Sequence, residues 1–69
     1  MKIIESKSNS VVVELSEDDL GLINNALNEV CNGIDIPEFA TRLGASRERA
    51  EELLRDVGVE LTKLESRRK

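Results

Sequence analysis

Apolar and polar residues alternate through Val11-Val12-Val13-Glu14-Leu15, with Val11, Val13 and Leu15 on one face and Val12 and Glu14 on the other. A period of two in a stretch rich in β-branched residues predicts a strand. Ile3 and Ile4, within residues 2–6, supply an antiparallel partner, and residues 7–10 (Lys-Ser-Asn-Ser) form the turn between them. A two-stranded hairpin is marginal in water, so it is expected to pack on helices or to gain another strand. Residues 59–61 (Val-Glu-Leu) are the candidate for a short C-terminal strand.

After Leu15 the period changes to that of a helix. Ser16 is an N-cap, Asp19 completes a capping-box pattern, and Leu15 and Leu20 are placed as a hydrophobic staple. Leu20, Ile23, Leu27, Val30 and Ile34 recur at helical spacing, with Leu22, Ala26 and Cys31 widening the stripe. The first helix is expected over 17–32, stopped by Gly33 in a left-handed conformation. Asp35 as cap, Pro37 in the first turn and Glu38 as a second box-like partner open a helix over 36–43, which Gly44 ends. Ser46 caps a third helix over 47–57, with Ala50, Leu53, Leu54 and Val57 on its apolar face. Gly58 stops it, and Val59 folds back on Leu54.

The expected fold is therefore α+β: an N-terminal β-hairpin followed by three short helices, the last two forming a helical hairpin. It occupies a single domain over residues 1–64, with residues 65–69 as a basic flexible tail. Ile23, Leu27, Val30, Phe39, Leu43, Leu53, Leu54 and Val57 are placed at its centre, and Val11, Val13 and Leu15 cover one side.

Composition narrows the chemistry. The chain has 69 residues, one cysteine and no histidine, so it can form no internal disulfide and no Ser-His or Cys-His catalytic pair. No glycine-rich phosphate cradle and no metal-ligand spacing is present. The expectation is a protein that is not an enzyme and that takes no cofactor and no metal. Cys31 reads as a small hydrophobe of the core. A lone thiol and the absence of a signal-peptide or membrane-spanning segment point to the cytoplasm and to no membrane role.

Charge is unevenly spread. Residues 16–39 carry six acids and no base, whereas residues 59–69 carry four bases and two acids. An acidic surface of this kind steers basic partners. The candidate protein-binding residues are Glu17, Asp18, Asp19 and Glu29, and the first reading of function is a non-catalytic module that binds a protein partner, a basic one in particular. In size and charge the chain is similar to the small acidic inhibitors that mask basic proteins, such as immunity proteins and antitoxins. An open strand edge, together with exposed Val12 or Leu22, also allows a homodimer.

The second reading rests on a motif. Residues 36–55 place alanine at Ala40, glycine at Gly44, and apolar residues at Phe39, Leu43, Ala45, Ala50 and Leu53. This spacing resembles the helix-turn-helix of bacterial DNA-binding regulators, in which the second helix enters the major groove. The resemblance implies Ser46, Arg47, Glu48 and Glu51 as base readers and Arg42, Arg49 and Arg55 as phosphate contacts. Glu48, Glu51, Glu52 and Asp56 share that helix, and an acidic helix opposes the phosphate neutralisation on which nucleic-acid affinity rests. Residues 24–33 also resemble small bacterial proteins of unassigned function, which adds no mechanism.

Overall fold

In the computed structural model, residues 1–67 are described. Strand β1 (Lys2–Ser6) and strand β2 (Val11–Glu14) form an antiparallel hairpin, closed where the Lys7 N–H donates to the Ser10 carbonyl at 2.8 Å. The pairing sets Ile3 opposite Val13 and Glu5 opposite Val12, so Ile4 is an extra residue that bulges β1. Three helices follow: α1 (Glu17–Asn28), α2 (Phe39–Leu43) and α3 (Arg47–Arg67). The architecture is α+β, an antiparallel hairpin followed by three helices, as the sequence predicts.

Local signals explain how the helices start. Ser16 Oγ accepts from the Asp19 N–H at 3.1 Å, and the Ser16 N–H donates to Asp19 Oδ2 at 3.3 Å, which closes the capping box. Ser46 Oγ accepts from the Arg49 N–H at 3.2 Å at the head of α3. Between α2 and α3 the chain turns at Gly44, whose φ of 75° lies in the left-handed region that glycine enters most easily.

Other expectations are corrected. Helix α1 does not end on a left-handed Gly33. It widens into a π-helical turn (Glu29–Gly33) in which the Ile34 N–H reaches back five residues to the Glu29 carbonyl at 3.0 Å, and Ile34 then leaves in extended conformation. Helix α2 begins at Phe39, with no cap from Asp35, because the residue before Pro37 is driven out of helical conformation. Glu38 itself takes a left-handed φ of 54° and makes no side-chain cap.

The largest correction lies downstream. Helix α3 passes straight through Gly58 to Arg67, so there is no strand at 59–61 and no fold-back of Val59 on Leu54. The supposed tail is helical over residues 65–67, while Arg68 and Lys69 lie outside the described residues. Within the half-buried face of α3, Arg47, Ala50, Leu54, Val57, Leu61 and Leu64 follow one another in steps of three and four across Gly58. That face continues unbroken, and it outweighs the helix penalty of one glycine, about 1 kcal/mol.

Helices α1 and α3 run antiparallel and make the main tertiary interface. Cys31 faces the start of α3 through Arg47, Asn24 lies against Gly58, and Gly21 and Leu61 line one groove. Among the described residues, only Cys31 (5% exposed) and Phe39 (9%) are buried. Ile23, Leu27, Val30, Leu54 and Val57 are half-buried along the helix pair. Leu43 and Leu53, expected at the centre, are exposed, because the five-residue α2 is too short to lie across α3. The hairpin covers less than expected as well: Val13 and Leu15 are half-buried, but Val11 is exposed.

The two glycines should respond in opposite ways to alanine. A Cβ at Gly58 meets only Asn24 Oδ1, at an ordinary 3.5 Å, so Gly58→Ala should raise stability by about 0.5–1 kcal/mol. Gly44→Ala must hold a left-handed φ and should lower it by about 1 kcal/mol. Urea unfolding followed by circular dichroism separates these outcomes, and a destabilised Gly58→Ala would contradict a continuous α3.

Candidate functional site

The antiparallel helix pair has two dissimilar ends. At one end, α1 and its π turn finish with no basic residue to complement their terminal carbonyls. Arg47, the first residue of α3, supplies that charge from across the interface. Its Nη1 donates to the Cys31 carbonyl at 2.7 Å, and its guanidinium sits 4.5 Å from the centroid of the Phe39 ring. A cation at a helix C-terminus, a charge-assisted hydrogen bond and a cation–π contact thus meet on one side chain. This junction joins α1, α2 and α3 around the two buried residues.

At the other end, the start of α1 and the last turns of α3 enclose an open groove of ≈ 480 Å³. Glu17, Asp18 and Glu65 line it with Leu22, Leu61 and Gly21, and Asn25 completes the wall. Three carboxylates surround two leucines. Leu22 is 71% exposed, which is unusual for a leucine flanked by helix-facing positions.

The proposed acidic residues are not brought together as one surface. Glu17 and Asp18 belong to the groove. Asp19 turns to the capping box and to the Met1 ammonium, 3.0 Å from its Oδ2. Glu29 lies at the opposite end of α1, about 18 Å along the axis at 1.5 Å per residue, with its carboxylate folded against Gly33. Glu65 is a groove residue that the sequence reading missed. The signal that finds it is the continuation of the α3 stripe beyond Gly58, which carries residues 61 and 65 to the same face.

The residues of the helix-turn-helix reading are largely engaged within the fold. Arg47 belongs to the junction and is half-buried. Arg49 pairs with Glu52 at 3.1 Å on the surface, Ser46 caps α3, and Glu51 is half-buried. Arg42, Glu48 and Arg55 are exposed. Among the described residues, no three metal-ligating side chains gather in a group that could hold an ion, and no helix is long and apolar enough to cross a membrane. Comparison with protein-family models, curated proteins and solved structures finds no match.

The Asp19 carboxyl titrates below its ordinary range. The hydrogen bond from the Met1 ammonium, and then that from the Ser16 N–H, hold its carboxyl below the usual carboxylate range. A depressed folded-state pKa contributes stability above the unfolded value, and that contribution is lost as pH falls through the folded one. Unfolding midpoints measured from about pH 5 to pH 2 should therefore drop more steeply for the wild type than for Asp19→Asn; parallel curves would show that the cap contributes nothing. Arg47→Ala should lower stability by roughly 2–3 kcal/mol through the lost hydrogen bond and ring contact. Arg47→Lys should retain part of that stability, and a neutral Arg47→Ala in denaturant unfolding would rule out the junction.

Proposed function

We propose that the protein is a non-catalytic interaction module of a reducing compartment, which binds a basic segment of another protein in the groove between α1 and α3. One observation carries this reading: Glu17, Asp18 and Glu65, from two different helices, ring the exposed Leu22 and half-buried Leu61. Helix-start chemistry accounts for acids at the head of α1. It does not account for Glu65, on the far end of another helix, facing the same hollow. The charges would steer and orient a partner bearing lysine or arginine, while Leu22 would supply affinity through apolar burial. A compatible segment carries an apolar side chain for the leucines, flanked by cations for the carboxylates.

Binding to DNA through α3 is the weaker reading. The left-handed Gly44 turn and the Ser46 cap support it, but its central arginine is drawn into the fold and the exposed cations that remain are few. Duplex binding would rest on Arg42, Arg55 and an Arg49 already paired with Glu52, against several surface acids, the reverse of the balance that phosphate contacts require.

A fluorescent amphipathic peptide of lysine and leucine, with a glutamate–leucine peptide as control, provides the test. The lysine peptide should bind and the control should not. Binding should weaken in 0.5 M salt, as expected for screened charges. Leu22→Ser should weaken it roughly tenfold, matching the loss of one partly buried leucine. Asp18→Asn with Glu65→Gln should also weaken it, and Glu48→Gln, outside the groove, should have no effect. Equal affinity across all these variants would reject the groove. A labelled duplex titrated in parallel should stay unbound; binding that disappears on replacing Arg42 and Arg55 would favour the helix-turn-helix reading instead.

A further inference from the structure

The hairpin exposes apolar surface in an arrangement that a second strand pair would complete. Ile3, Ile4, Val11 and Val12 are all exposed, Ile4 at 55%, and the hairpin makes little contact with the helices. Two strands alone are marginal in water; three or more strands, or a covering helix, are needed. Among the described residues, no hydrogen bond from another element reaches the outer edge of β2.

The dimensions of the chain agree. A folded monomer of 7.7 kDa is expected to expose about 4,300 Å², whereas this chain exposes 5441 Å². The excess of roughly 1,100 Å² exceeds the ≈ 800 Å² that one partner buries in a standard stable interface. The radius of gyration is 13.7 Å, against about 11 Å for a compact chain of this length. The molecule is a slab 39 × 35 × 15 Å, thin enough that a whole face lacks a covering layer.

We propose that a second copy of this chain pairs its β2 with β2, so that two hairpins form one four-stranded antiparallel sheet about a twofold axis. The choice of edge follows from the sequence. β1 carries the Ile4 bulge and the charges of Lys2 and Glu5, devices that blunt an edge. β2 is regular and presents three consecutive valines.

Symmetry then fixes the register. A twofold axis perpendicular to the sheet must pass midway between the two copies of a single residue, since directly opposed side chains share a face. Centred on Val12, it sets Val11 opposite Val13 of the other copy and Ser10 opposite Glu14. Centred on Val13, it would set Val12 against Glu14. The Val12 register gathers four valines on one face and opposes no apolar side chain to a charge, which makes the edge self-complementary. A foreign strand would need to match it, whereas a second copy already does.

Sedimentation equilibrium of the full chain should give twice the monomer mass, dissociating on dilution. Val12→Lys should be monomeric with an unchanged helical circular-dichroism spectrum. Should Val12→Lys fail to fold, Val12→Cys reports on the same contact. Opposed residues in an antiparallel pair lie within disulfide reach, so mild oxidation should give a covalent dimer whose cross-link maps by mass spectrometry to position 12 rather than to the buried Cys31. A wild type that is monomeric at every concentration overturns the proposal. So does a dimer that neither dissociates with Val12→Lys nor cross-links through Val12→Cys, because its interface must lie elsewhere.

Discussion

The structure depends on one cation placed at the end of a helix that has none of its own. Helix α1 and its π turn finish among acids and asparagines, and the exposed carbonyls there need a positive donor. Arg47 provides it from the first turn of α3, lying at the same time across the Phe39 ring. It touches Cys31 and Phe39, both of them buried. The core is therefore less an apolar interior than a polar clasp with a small apolar lining. A lysine could supply the charge but not the flat, weakly hydrated group that lies over an aromatic ring.

A core this small leaves the rest of the chain to organise as surfaces. The α1–α3 pair buries one stripe from each helix and leaves the outer stripe of both in water. The hairpin stands apart from that pair, and α2 spans too few residues to bridge them. Small domains commonly compensate with a disulfide or a metal. With one thiol and no histidine, this chain lacks the residues for the first and the usual ligand for the second. The proposed strand pairing and groove binding would each bury part of its exposed valines and leucines.

Much of the fold was legible in residue order. The Ser16–Asp19 box, the Ser46 cap, the Gly44 turn and the Val11–Glu14 strand each depend on a few neighbours in sequence, and each formed where those neighbours specify. Gly58 shows where such reading fails. Its local meaning is to stop a helix, yet Leu61 and Leu64 continue a spacing whose value comes only from α1 lying opposite. A similar tertiary effect drew Arg47 inward from a predicted base-reading position, since nothing near it in sequence announces the Cys31 carbonyl. The groove was half legible: Glu17 and Asp18 stood out as charges, but Glu65 could not be joined to them until α3 was known to be long.

The antiparallel course of α1 and α3 also sets an order of assembly. Joining Cys31 to Arg47 closes a loop of 16 residues, whereas bringing Gly21 to Leu61 closes one of about 40. By loop-closure entropy the longer closure costs about 0.8 kcal/mol more if made first. Loop-closure entropy therefore favours docking the two helices from the arginine end towards the acidic end, which leaves the groove at the end whose closure costs more.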